Sequence, residues 1–167
     1  PSSKADLAFT MHILSWLSVT GTASIVEFPG VLYRSGKEQK IRQYLIDNNF
    51  IDAVIQLPEN LFFGTSIATC IIVLKKSKKD NKVLFIDATN NFIHSGNKNK
   101  LSDENIETIL NAYITRQNKD HFTKLVSNED IATNDYNISV SGYVEKKDTK
   151  QKINIKELNI TIKQIVL

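Results

Sequence analysis

Hydrophobic residues recur at helical spacing in three parts of the segment from residue 7 to residue 114. Near the N-terminus, Leu7, Met11 and Leu14 are separated by four and three residues, which predicts an amphipathic helix. The apolar face of this helix is widened by Phe9, Ile13 and Trp16, and we expect Trp16 in the core. Ser35 and Glu38 have the spacing of a capping box before a second helix. Ser102 is a good N-cap for a third, whose apolar stripe is Ile106, Ile109, Leu110, Tyr113 and Ile114.

Four apolar runs of strand length alternate with the first helices, at residues 23–28, 51–57, 69–74 and 83–86. Strands that are apolar throughout are typical of a sheet covered on both faces, so the sequence predicts an α/β fold. The third run is expected near the centre of the sheet. The connection 75–82 is too short for a parallel crossover, so the last two runs are predicted to form an antiparallel β-hairpin.

Beyond residue 88 the pattern becomes mainly helical. A short helical turn is predicted at 128–133 and an extended segment at 138–144, followed by a charged linker. In the tail, the 3-4-3 spacing of Ile155, Leu158, Ile162 and Ile165 favours a helix. The β-branched alternation at 159–162 leaves a strand open as the alternative.

Composition narrows the class of protein. The chain has 167 residues, a formal charge of +3 and one cysteine, Cys70. This length fits a single domain, and one cysteine excludes an intramolecular disulfide framework. No apolar run reaches the roughly 18–20 residues of a membrane span, and no signal-peptide pattern is present. These features predict a globular, cytoplasmic protein without membrane contact, and the charge is too small to establish a nucleic-acid partner.

Most of the usual catalytic signals are absent. His12, His94 and His121 are far apart in sequence and lack partners at ligand spacing, so no metal site is predicted. Cys70 lies among apolar neighbours and is expected to be a buried, inert thiol. The chain has no glycine-rich phosphate loop.

One loop between two predicted strands combines aromatic residues with a Gly64-Thr65-Ser66 turn. Open α/β sheets bind their ligands at strand ends, and Phe62 or Phe63 could stack on a planar ring there. A stacked base contributes roughly 1–3 kcal/mol. The alternative is that both phenylalanines cap the core.

A cluster of lysines follows the third predicted strand. It could contact a phosphate backbone, or it could be a solvated turn that discourages edge pairing. The candidate residues for DNA-backbone contact are Lys75, Lys76, Lys78 and Lys79.

Ordered motifs over residues 1–145 resemble the methylation subunit of type I restriction–modification systems. Two of these motifs precede the second predicted helix, four lie between that helix and residue 88, and the last two lie at the end of the matched segment. They are 3–9, 30–34, 51–58, 60–67, 69–74, 84–88, 134–137 and 142–144.

This resemblance implies an adenine-N6 DNA methyltransferase that uses S-adenosylmethionine and flips its target base. Residues 1–88 would be the C-terminal half of a Rossmann-like catalytic sheet, 89–144 a helical extension, and 145–167 a linker and the start of a helical subunit contact. Phe62 or Phe63 would be the second stacking partner of the flipped adenine. Further pocket-loop residues would be Pro29, Gly30, Arg34, Gly64, Thr65 and Ser66.

Departures from the family pattern are equally informative. The chain has no Pro-Pro of the adenine-binding motif and no glycine-containing cofactor fingerprint, so neither the catalytic motif nor the main S-adenosylmethionine motif is expected in it. Glu27 is unusual for its position and is expected to weaken its strand. The resemblance therefore implies a part of a larger subunit, inactive alone, with DNA and the specificity and restriction subunits as partners.

Two other functions remain open. The chain could be a non-catalytic assembly module that binds a specificity or partner subunit through the apolar tail. It could also be a generic nucleotide-binding α/β domain, although it has no phosphate loop.

Overall fold

The computed structural model describes residues 5–146, which form four α-helices, two 3₁₀ turns and seven strands. The helices are α1 (Asp6–Trp16), α2 (Lys37–Asp47), α3 (Asp103–Thr115) and α4 (Asn128–Thr133), and the turns are Pro29–Leu32 and Val140–Gly142. The strands are β1 (Thr22–Glu27), β2 (Ile51–Gln56), β3 (Cys70–Lys75), β4 (Lys82–Asp87), β5 (Ile93–Ser95), β6 (Lys98–Lys100) and β7 (Thr123–Ser127).

Five of these strands form one mixed sheet in the order β1-β3-β2-β4-β7. Strands β2 and β4 are parallel, and β3 lies antiparallel between β1 and β2. Strand β7 is antiparallel to β4. Consequently β1, β2 and β4 run in one direction and end at the same edge of the sheet, which we call the carboxyl edge.

The predicted hairpin between the third and fourth apolar runs is wrong. These runs are β3 and β4, and β2 lies between them. The six-residue connection 76–81 can cross β2, because two strand spacings amount to only about 10 Å. The Lys78 ammonium secures the crossing by donating to the carbonyls of Ile51, at 2.7 Å, and Lys82, at 2.8 Å.

The first predicted strand is an edge strand and not a buried one. Exposed and half-buried residues alternate along β1, which pairs with β3 alone. Glu27 does not break it, because its carboxylate accepts a 3.0 Å hydrogen bond from the buried Thr10 hydroxyl.

Two expectations about the helices are also wrong. Leu7 and Leu14 are buried, as the spacing predicted, but Trp16 is 80% exposed. Its ring packs against that of His12 with the centroids 4.7 Å apart. The capping box at Ser35 does not form, since Gly36 is the N-cap of α2, at φ 77°, and no side chain caps the helix.

The predicted helical extension over 89–144 is not confirmed. This segment contains α3 and α4 but also three strands, and β7 continues the main sheet. The Ser102 cap is confirmed, and Asn105 completes the capping box. The tail, including the apolar seam from Ile155 to Ile165, lies outside the described residues.

The core has two layers, one on each face of the sheet. Helices α1, α2 and α4 cover the larger layer, which includes Leu45, Ile72 and Phe85. Helix α3 packs against the smaller layer, which includes Ile55, Val73 and Ile86. Within residues 5–146, none of the helices combines the length and apolar character needed to cross a bilayer.

A buried arginine on α2 connects this helix to two other segments of the larger layer. Arg42 on α2 is 1% exposed and donates to three carbonyl oxygens, those of Tyr136 at 2.8 Å, Val31 at 3.0 Å and Arg34 at 2.8 Å. Burial lowers the pKa of its guanidinium. The charge is tolerated there because the Nε and Nη1 groups have carbonyl partners.

Replacement of Arg42 tests this role. We expect Arg42→Met to lower the free energy of unfolding by about 2–4 kcal/mol, because three carbonyl groups lose hydrogen bonds to a charged donor. The measurement is urea unfolding of the 167-residue chain. Lys40→Met, on the exposed side of the same helix, is the matched control and should change stability little. Equal effects of the two substitutions would contradict the role assigned to Arg42.

Candidate functional site

The carboxyl edge brings two loops together. The first, 28–34, follows β1, and the second, 57–69, joins β2 to β3. Cys70, the first residue of β3, is paired with both Glu27 and Gln56. The Gln56 side chain also donates to the Thr69 carbonyl at 3.0 Å. The two loops therefore start from adjacent positions of the sheet, which makes this edge the candidate site.

The first loop is a compact turn in which Gly30 is covered by the side chain of Arg34. Gly30 and the two residues after it are buried in the 3₁₀ turn. The Arg34 guanidinium lies over Gly30 so closely that an added Cβ would be 2.4 Å from its Nη2 atom. The same guanidinium forms a 3.5 Å ion pair with Glu38. A side chain at position 30 would therefore displace the Arg34 guanidinium from its present position, and Pro29 starts the turn that places both residues.

The second loop (57–69), which we call the aromatic loop, projects Phe62 and Phe63 outward. Phe63 is 100% exposed and Phe62 is 41% exposed. Gly64, at φ 79°, takes the left-handed conformation that glycine adopts at no steric cost. Thr65 Oγ1 accepts a hydrogen bond from the Ile67 amide at 3.1 Å, and the Ser66 carbonyl accepts one from the Asn60 amide at 3.2 Å.

The exposure of Phe63 argues against the prediction that both phenylalanines cap the core, and stacking on a planar ring stays a prediction. A side chain that caps the core would lose most of its accessible surface, whereas Phe63 loses none. It is Leu61, the neighbour before Phe62, that packs against the smaller core layer. An exposed ring on a loop at the end of a sheet can stack on a planar ligand.

The structure does not bring the lysine cluster to this edge. Strand β3 begins beside the aromatic loop and ends at Lys75, so the cluster lies at the opposite edge, roughly 17–20 Å away for a strand of this length. Lys76 donates to the Leu17 carbonyl at 2.6 Å, and Lys78 holds the crossing over β2. Burial lowers the pKa of Lys78 to about 8. Of the four candidates for DNA contact, Lys79 is the exposed one.

A polar network at this opposite edge was not predicted. The carboxylate of Asp52, at the start of β2, accepts a 2.6 Å hydrogen bond from the Tyr113 hydroxyl. It also forms a 3.0 Å ion pair with Arg116. Burial, together with the bond to Asp52, raises the pKa of Tyr113 to about 12. The network joins α3 to the sheet, and its members are too far apart in sequence to suggest it.

Sequence reasoning also missed the β5–β6 hairpin, which contacts the aromatic loop. Lys98 and Asn99 of β6 donate hydrogen bonds to backbone carbonyls between Glu59 and Thr65. Each strand of this hairpin has three residues, too few for a clear alternation. The turn around Gly96, at φ 61°, is the one local signal.

Comparison with known proteins assigns the family. The family model described as N-6 DNA Methylase matches residues 1–152. The chain belongs to the N-6 DNA methylase family. It is 49% identical over 167 residues to the type I restriction enzyme MpnII methylase subunit of Mycoplasma pneumoniae, covering 99% of this chain and 31% of the relative. It is 42% identical over 142 residues to the MjaVIII methylase subunit of Methanocaldococcus jannaschii, covering 81% of this chain and 25% of the relative.

Solved structures of this N-6 DNA methylase family have the same fold. A type I restriction–modification methyltransferase subunit from Streptococcus thermophilus aligns with a TM-score of 0.85 and 45% identity, over 87% of this chain and 31% of that one. The EcoKI M protein aligns with a TM-score of 0.71 over 98% of this chain and 42% of that one, and at 18% identity it supports the fold alone. The chain spans about a third or less of the curated relatives named above.

The thiol of Cys70, the first residue of β3, provides a test of the position of β3 in the sheet. Burial and the nearby charge of Glu27 raise the pKa of Cys70 to about 12, from an ordinary value of 9.0. The folded thiol stays protonated while an unfolded one ionises above about pH 9. The unfolded state then binds fewer protons, so the free energy of unfolding should fall as the pH rises above 9.

We therefore expect Cys70 to resist a thiolate-directed disulfide reagent at pH 8 in the native chain and to react fully in urea. Because it is the single cysteine, absorbance of the released thiol reports on this site alone. Rapid native labelling, under conditions where the chain is folded by circular dichroism, would contradict the placement of Cys70 between β1 and β2.

Proposed function

We propose that the chain is the later part of the catalytic domain of a type I adenine-N6 DNA methyltransferase subunit and supplies one wall of the pocket for a flipped adenine. The observation that carries this proposal is the fully exposed Phe63 ring, on a loop that starts from the same edge of the sheet as the 28–34 loop. The sheet would be the later half of a Rossmann-like methyltransferase sheet, which continues outside this chain.

The energetics of base flipping explain why an exposed ring is useful there. Extruding a base costs a few kcal/mol of lost stacking and pairing. Stacking on an aromatic side chain stabilises the extruded base by roughly 1–3 kcal/mol. Phe63 is the better candidate for this contact, because Phe62 is more than half buried. Gly64, Thr65 and Ser66 would shape the turn that carries it, and Pro29, Gly30 and Arg34 would form the neighbouring wall.

The methyl donor would be S-adenosylmethionine, the cofactor of this methyltransferase family. The described residues do not fit a complete site for it. The buried Gly30 at the carboxyl edge is covered by the Arg34 guanidinium, so its backbone is not open to a cofactor in this arrangement. We propose that other parts of a full-length subunit bind the cofactor and orient the adenine amino group.

Exposed apolar surface supports a role within a larger assembly. The outer edge of β1 is unpaired among the described strands, and Val26 and Phe28 at its end are about half exposed. Unpaired sheet edges and clustered apolar residues are typical of surfaces that another segment covers. The full subunit would act in the cytoplasm on DNA, with specificity and restriction subunits. Lys79, and to a lesser extent Lys75, would be left for contact with the DNA backbone.

A second candidate function is that of an assembly module without chemistry. An apolar groove of about 320 Å³ between α3 and the β1 side of the sheet favours it. Ile106 and Leu110, which line this groove, are about half exposed. The two functions differ in whether the aromatic loop matters for methyl transfer.

The first prediction concerns the chain by itself. Incubated with labelled S-adenosylmethionine and duplex DNA, the 167-residue chain should transfer no methyl group above background, because the proposal places the cofactor site in other parts of a full-length subunit. A full-length family member is the positive control. Transfer by the isolated chain would contradict the proposal that other segments bind the cofactor.

The second prediction concerns the aromatic loop. In a full-length type I methylase subunit with residues 1–167 in their matching position, we expect Phe63→Ala to lower kcat/KM about 10–100-fold, the equivalent of a lost base stack. It should also reduce the fluorescence rise of 2-aminopurine at the target base. Phe62→Ala is the matched control, with a smaller expected effect. Unchanged turnover and fluorescence in both variants would favour the assembly module.

A further inference from the structure

The 62–65 turn of the aromatic loop depends on a neighbouring element for its shape. The Phe62 and Thr65 carbonyls, on either side of Phe63 and Gly64, both point to the Lys98 ammonium, at 3.1 Å each. One cation thus connects the two ends of the turn. Hydrogen bonds to charged donors are stronger than those between neutral groups.

The residue after Lys98 holds the preceding part of the loop. The buried Asn99 side chain donates to the Glu59 carbonyl at 2.9 Å, and its backbone amide donates to the Asn60 carbonyl at 3.0 Å. Asn60 is in the left-handed region at φ 57°, which asparagine tolerates better than most residues, and the hydrogen bond to its carbonyl fixes its position. Strand β6 is in turn paired with β5 through three residue pairs.

Phe63 itself has no packing that could fix its direction. Its ring is 100% exposed, so the backbone of the turn fixes the direction of the Phe63 Cα–Cβ bond while the ring can still change rotamer. A ring that must meet an extruded base gains from such preorganisation, because a mobile loop would lose conformational entropy on binding.

We propose that Lys98 is a positioning residue for base stacking: its ammonium group, presented by the β5–β6 hairpin, bridges the Phe62 and Thr65 carbonyls and holds Phe63 in its projecting position. This inference rests on the proposed function for the role of Phe63, but the bridge can be tested separately. Lys98 would act within the protein and not as a contact to the DNA backbone.

The first measurement is amide hydrogen exchange on the 167-residue chain. In Lys98→Met, the Asn60 and Ile67 amides, which are bonded within the loop, should exchange about tenfold faster, as expected when a hydrogen bond to a charged donor is lost. Lys98→Arg should restore much of the protection, because a guanidinium also offers several donors. Lys100→Met removes the same charge two residues along β6 and is the matched control. Unchanged exchange in Lys98→Met would overturn the proposal.

The second measurement separates positioning from general destabilisation. In the full-length subunit described above, Lys98→Met should lower kcat and the 2-aminopurine fluorescence rise about tenfold and leave KM for DNA nearly unchanged, while Lys98→Arg recovers both. A rise in KM alone would overturn the proposal in favour of a DNA-backbone contact. Faster loop exchange without any change in kcat would support the bridge but contradict base stacking by Phe63.

Discussion

The insertion of β3 between β1 and β2 determines where the loops of the described residues lie. Because β3 is antiparallel to both neighbours, its first residue lies beside the last residues of β1 and β2. The 57–69 connection must therefore return at the carboxyl edge, next to the loop that follows β1. At the other end of β3, the chain has to cross β2 before it can form β4. The aromatic loop and the lysine cluster are consequently separated by the full length of the strand.

Cations in this protein often stabilise backbone and not carboxylates. Arg42, Lys76, Lys78 and Lys98 each donate to at least one carbonyl oxygen of a loop or strand end. Such contacts satisfy carbonyl groups that the sheet and helices leave without partners. A count of basic residues therefore overstates the number of cationic side chains that are free to contact another molecule. The same contacts hold the 28–34 loop, the crossing over β2 and the aromatic loop in place.

The helices and strands were largely predictable, because each buries an apolar face with a clear period. The burial of Leu7 and Leu14, the Ser102 cap and the bounds of β2 follow from such local patterns. The order of the strands in the sheet was not predictable in this way. A short connection indicates that two strands are antiparallel, but it does not show that they are neighbours, and β2 lies between β3 and β4. Trp16 was misplaced because periodicity does not show where an apolar stripe ends.

The location of the candidate site was predicted from the family resemblance and not from periodicity. The resemblance pointed to the 60–67 loop, and the structure supplied the exposure that distinguishes Phe63 from Phe62. The support from Lys98 and Asn99 was not predictable, because hydrogen bonds between residues 33–40 positions apart depend on the tertiary fold. The Asp52–Tyr113–Arg116 network was hidden for the same reason.

The central claim is that the aromatic loop at the carboxyl edge contacts the extruded base. Photo-crosslinking tests it most directly, with 5-iodouracil replacing the target adenine in duplex DNA bound by a full-length subunit and its specificity partner. The account predicts that the crosslinked peptide contains the 60–67 loop, with Phe63 as the modified residue. Efficient crosslinking with no adduct in this loop, and adducts in other parts of the subunit instead, would contradict it.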